Sequence, residues 1–113
     1  MPIISSTLPH GIGLIVVDGA LLGGDEVSQL RNAIQRFLDE QCQNLIVDLD
    51  GVTHMNSVAV GVLVSALTSY ARRKWRIRLC AVNKTAYSVL AIVKLNLVFD
   101  MDKTRDEAIK SLA

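Results

Sequence analysis

Leu45-Ile46-Val47-Asp48-Leu49-Asp50-Gly51-Val52-Thr53-His54-Met55-Asn56-Ser57-Val58-Ala59-Val60-Gly61 is the stretch from which the rest of the chain can be read. Leu45 to Leu49 is an apolar run too brief for a helix, closed by charge and by Gly51, and it reads as a buried central strand. Ser57 to Arg73 reads as a helix that is apolar over much of its circumference, with Gly61 allowing close approach to the sheet. The ten positions from Asp48 to Ser57, where the strand passes into the helix, carry two carboxylates, an imidazole, an amide and two hydroxyls, a density found nowhere else in the chain. In open α/β sheets, functional groups collect where strands end and helices begin.

Upstream, Ile3 to Leu8 and Ile12 to Asp18 are strand candidates separated by a Pro9-His10-Gly11 turn, the pattern of a hairpin. Gly19 to Gly24 reads as a loop. Val27, Leu30, Ile34, Phe37 and Leu38 then recur at three- and four-residue spacing and mark a helix, opened by Asp25 and Glu26 at its positive dipole end. Downstream, Ile77 to Val82 reads as a strand, Thr85 to Val93 as a helix and Leu97-Val98-Phe99 as a last short strand. Thr104 to Leu112 is an amphipathic helix with Thr104 as N-cap and Glu107 at the capping-box position. Alternation of this kind predicts an α/β fold: a mostly parallel sheet of four to five strands, opened by an antiparallel N-terminal hairpin and flanked by about four helices.

Composition narrows the function classes. The 113 residues make one domain, 1–113, and with 50% apolar residues it can bury a core without disulfide or metal. A net charge of +1 gives no reason to expect direct binding to nucleic acid. The longest apolar run, Val58 to Leu67, is about half of the ~20 residues that span a bilayer, so no membrane insertion is expected. The N-terminus lacks a basic segment ahead of a hydrophobic one, and Cys42 and Cys80 are isolated. The expectation is a cytoplasmic protein with reduced, buried thiols.

The candidate chemistry is sparse. Asn56 or Ser57 can serve as the N-cap of the second helix, and the same helix start can accommodate a phosphate. A catalytic pairing of His54 with Ser57 has no flanking glycine pattern and no third orienting group in its support. Asp48 and Asp50 are read as facing opposite ways along their strand, which disfavours a shared metal site, with Asp48 bonding near the helix start and Asp50 in the turn. The Cys and His spacings match no zinc site. No catalytic residue, metal or cofactor is expected. Arg72, Arg73, Lys74, Arg76 and Arg78, interleaved with Trp75, cross from helix to strand and read as a solvated helix terminus.

The stretch from Leu45 to Gly61 resembles the signature of STAS domains, in which an apolar strand ending in Asp-Leu leads to Asp-Ser-Ser-Gly-Leu-Gly at a helix start. Gly19-Ala20-Leu21, Ile77 to Val82 and Leu95 to Phe99 fit other segments of that family, so the resemblance runs through nearly the whole chain. It implies a non-catalytic protein of bacterial transcription regulation, an anti-sigma factor antagonist. Such a protein sequesters an anti-sigma factor that is also a serine kinase, is released when phosphorylated at the position of Ser57, and is reset by a phosphatase. The implied partner surface comprises Asp25, Asp50, His54, Asn56, Ser57 and Val58, on a monomer or weak dimer. Here Asn56 stands for the usual Asp, Val58 for a second Ser or Thr, Ala59 for Gly and Val60 for Leu. Those departures motivate an alternative: a constitutive protein-binding subunit of a stressosome-like or lipid-transport complex.

Overall fold

The computed structural model describes residues 3–113. Strand β1 (Ile3–Leu8) turns through Pro9-His10-Gly11 into β2 (Ile12–Leu21), and the two pair antiparallel from Ile3↔Val17 to Leu8↔Ile12. His10 and Gly11 both take left-handed φ, at 68° and 71°, and together reverse the chain. Helix α1 (Gly24–Asp39), β3 (Asn44–Met55), α2 (Ser57–Arg72), β4 (Arg76–Cys80), α3 (Lys84–Ile92), β5 (Asp100–Asp102) and α4 (Arg105–Leu112) follow. The sheet order is β1-β2-β3-β4-β5, with every pairing after the first parallel.

Three successive right-handed crossovers, all stepping the same way along the sheet, put α1, α2 and α3 on one face. The packing follows from this. Leu45, Val47 and Leu49 of β3 join Ile15 and Val17 of β2 and the buried faces of α1 to α3 in the larger core. Their alternating neighbours Ile12, Leu14, Ile46 and Cys80 meet Ala108 and Leu112 of α4 on the opposite face. Each fully buried Leu or Ile contributes about 1.5–3 kcal/mol. The five periodic residues of α1 are all buried as predicted.

The structure corrects several boundaries. Strand β2 runs on to Leu21, so Gly19-Ala20-Leu21 is paired strand rather than loop. Strand β3 is twelve residues long and includes the segment expected to be a turn. Two register shifts against β2, between Val16 and Asp18 and between Gly19 and Ala20, each give β3 an extra residue. They move its core positions from a spacing of two to a spacing of three, Leu49, Val52 and Met55. Gly51 sits at the first shift, where an added Cβ would come within 2.9 Å of the Val17 carbonyl oxygen. Val82 lies outside β4, and Leu95–Leu97 forms a 3₁₀ turn, so the last strand is Asp100–Asp102 and not Leu97-Val98-Phe99. Gly61 is exposed and faces no neighbour, so it provides no close approach to the sheet.

Candidate functional site

Parallel strands deliver their C-terminal ends, and therefore the starts of the helices that follow, to one edge of the sheet. There Asn56 takes extended backbone angles and caps α2. Its Oδ1 accepts from the N–H groups of Val58 and Ala59, at 3.1 and 3.2 Å. Its Nδ2 donates to the Leu22 carbonyl at 2.6 Å, while its backbone N–H donates to the Leu21 carbonyl at 3.1 Å. A carboxylate can accept as a cap but cannot donate to Leu22, so the amide joins the α2 start to the end of β2. Asn56→Ala is expected to lower stability by about 1–2 kcal/mol, the upper range for a cap because the tie to Leu22 goes as well. Chemical denaturation of this variant beside Ser57→Ala measures the difference.

Ser57 is the first helical residue, exposed, and its hydroxyl has no hydrogen-bond partner among the described residues. The cap role open to either residue falls to Asn56. Val58 beside it is more than half exposed, as is Leu22, which the sequence reading did not single out. The signal for Leu22 was a large apolar side chain ahead of two glycines.

The other expected surface residues approach the same edge from different elements. Asp25 is exposed in the first turn of α1, three residues beyond Leu22. His54 is exposed on β3, and its Nδ1 lies 3.3 Å from Thr53 Oγ1; it shares no hydrogen bond with Ser57 among the described residues. Asp50 is exposed on β3, and its carbonyl accepts from Nδ2 of Asn83, the cap of α3, at 3.0 Å. Asn83 Nδ2 also reaches the Val52 carbonyl at 2.6 Å, which fixes the start of α3 beside β3.

Asp48 is not part of this exposed surface. It is buried, and residues two apart in a regular strand share a face, so strand parity does not send Asp48 and Asp50 opposite ways. Burial and the bulged register distinguish them. Asp48 Oδ1 accepts from the Asp50 N–H at 3.0 Å, and its Oδ2 accepts from Nε and Nη2 of Arg105 at 3.1 and 2.9 Å. The helix start that Asp48 bonds is that of α4, not α2. No group of three or more His, Cys, Asp or Glu among the described residues is arranged to hold a metal ion.

Cys80 lies beside this pair, fully buried. Burial pushes its thiol up to about 12, and the negative charge of Asp48 adds to the effect. The unfolded thiol ionises near 9, so the contribution of this group to stability is intact below that pH and is lost between about 9 and 12. Burial drives the hydroxyl of Tyr70, which donates to the Cys42 carbonyl at 2.9 Å, in the same direction. Stability measured from pH 8 to 11 is expected to fall, and to fall less steeply in Cys80→Ala. Cys42 departs from expectation in being only part-buried, with its thiol directed to the Gly11 and Asn44 carbonyls.

The basic cluster divides. Arg78 makes a bidentate bond to Asp102, at 2.6 and 3.2 Å, fastening β4 to β5, and Arg73 lies over the Trp75 ring at 5.5 Å.

The family model for the STAS domain matches residues 4–108. The chain belongs to the STAS domain family. No curated protein matches it in sequence. Among solved structures, this STAS domain is similar to a Thermotoga maritima protein described as an anti-sigma factor antagonist, with TM-score 0.87 and 17% identity over 96% of this chain and 92% of the other. It is similar to the Bacillus cell fate determinant SpoIIAA, solved in its phosphorylated form, with TM-score 0.80 and 20% identity over 98% and 99% of the two chains. It is also similar to the STAS domain of a SulP transporter from Vibrio cholerae, with TM-score 0.70 and 19% identity over 95% and 84%. These likenesses establish the shared fold, with five strands, the first pair antiparallel, and four α-helices among the described residues. No helix among the described residues is long and apolar enough to cross a membrane.

Proposed function

We propose that this STAS domain is an anti-sigma factor antagonist, a protein-binding switch with no catalytic role of its own. Unmodified, it binds an anti-sigma factor that is also a serine kinase; phosphorylated on Ser57, it releases that partner, and a phosphatase restores it. The observation that carries this reading is the division of labour at the α2 start. Asn56 satisfies the first helix amides, which leaves the Ser57 hydroxyl exposed and without a partner among the described residues. A serine retained only as a cap would be bonded to those amides itself. The positive end of the α2 dipole accommodates a phosphate on Ser57 without cost to the fold. Exposed Val58 and Leu22 supply an apolar contact beside the acceptor, with Asp25, Asp50 and His54 as its polar surround.

The solved phosphorylated form of SpoIIAA gives a precedent within the fold. The test is mass-spectrometric site mapping of protein isolated from its native host, with and without phosphatase treatment. Phosphate on Ser57 is the expected result. Protein that never carries phosphate there, and that remains in one stable complex whatever stands at residue 57, would instead make this domain a constitutive subunit.

A further inference from the structure

The link between α3 and β5 leaves large apolar side chains in water. Ile92 is 81% exposed, Leu97 78%, Val98 57% and Val93 53%, and Tyr87 on α3 is 46% exposed. Ile92, Val93, Leu97 and Val98, at the end of α3 and in the turn after it, expose on the order of 400 Å², within the range of the largest apolar patch of a monomer; Tyr87 lies on another side of α3. The backbone holds this surface in one shape. Lys94 ends α3 with φ at 62°, its carbonyl accepts from the Leu97 N–H at 3.2 Å, and the Leu95 carbonyl accepts from Val98 and Phe99 at 3.0 and 3.1 Å. Asn96 Nδ2 donates to the Tyr87 hydroxyl at 3.2 Å, and buried Phe99 anchors the turn from below. A surface already ordered loses little entropy on docking.

This patch lies away from Ser57. Helix α3 starts at the edge where Asn83 bonds β3 and runs back toward the opposite edge, where the chain enters β5. The charges that bracket the turn are one of each sign. Lys94 is exposed at one end; at the other stands Asp100, its side chain 71% exposed and one carboxylate oxygen 3.8 Å from Arg78 Nη1. A partner of uniform charge would meet one like charge here. A second copy related by a two-fold axis meets none, because residue i then faces j while j faces i. In such an arrangement Lys94 of each copy can stand opposite Asp100 of the other, with the apolar side chains between. Two such patches with their polar rims come near the total of about 1,000 Å² that a specific interface should clear.

We propose that this surface is the contact of a two-fold homodimer, formed independently of the Ser57 face. Sedimentation velocity of the full chain from about 10 to 500 µM spans the affinities expected of so small an interface. The expected result is a monomer–dimer equilibrium in which Leu97→Asp weakens association at least tenfold. Lys94→Glu and Asp100→Lys each weaken it, and the double exchange recovers most of the loss. Ser57→Asp leaves it unchanged. Thermal melts check that each variant is folded, which is expected for substitutions at exposed positions. Wild-type protein that is monomeric throughout would overturn the proposal. So would a dimer indifferent to Leu97→Asp, one abolished by Ser57→Asp, or a charge exchange no tighter than the weaker single variant.

Discussion

Ser57→Asp is expected to weaken binding of the proposed anti-sigma factor partner at least tenfold, whereas Ser57→Ala is expected to bind it as the wild type does. Neither variant should change thermal stability appreciably. The asymmetry between binding and folding follows from where the hydroxyl sits. In the free protein a negative charge at the first position of α2 meets the positive end of a 16-residue helix, an interaction that is favourable by about 0.3–1 kcal/mol. In the proposed complex the same charge would sit under the partner, near exposed Val58 and Leu22. Desolvating an unpaired charge in an interface costs several kcal/mol, and every 1.4 kcal/mol is a factor of ten in affinity. Asp25 and Asp50 on neighbouring elements place further negative charge at the same edge. Titration calorimetry measures the loss of affinity. Wild-type affinity in Ser57→Asp would sink the switch and leave a constitutive contact.

What was legible in the residues, and what was not, divides by period and by distance along the chain. Helix α1 was evident because its buried positions keep strict helical spacing. The second half of β3 was not, because two bulges turn an alternation of two into a spacing of three over Leu49, Val52 and Met55, which looks like a turn. Strand β5 was misplaced for a different reason. Apolar runs mark strands covered on both faces, but β5 is an edge strand of Asp100-Met101-Asp102, fastened by Arg78 rather than by burial. The apolar Leu97 and Val98 next to it are exposed. Asn56 and Ser57 were placed at the helix start from their chemistry alone. Which of them caps was decided by Leu22, 34 residues away, and no local pattern encodes that contact.

The same limit concealed Arg105, and its removal is expected to harm the fold more than loss of the Asn56 cap. Asp48 lies on the α4 face of the sheet with its carboxylate buried, and Arg105, 57 residues on, supplies two of its three hydrogen bonds. Arg105→Ala leaves that carboxylate with only the Asp50 N–H. Breaking a buried pair by deleting one partner costs about 3–5 kcal/mol. Arg105 is 44% exposed, so water can partly replace it, and about 2–3 kcal/mol is expected, equivalent to a fall in Tm of roughly 10 °C. The cost lies in the orphaned charge more than in the lost attraction. Adding Asp48→Asn to Arg105→Ala should therefore restore part of the stability, because a neutral amide is cheaper to leave under-bonded. Thermal and urea unfolding of the four proteins in this cycle separates the coupling from the two single effects. If Arg105→Ala changed stability by less than about 0.5 kcal/mol, the level of an ordinary surface substitution, the pair would not be what fastens α4 to the sheet, and the apolar contacts of Ala108 and Leu112 would suffice.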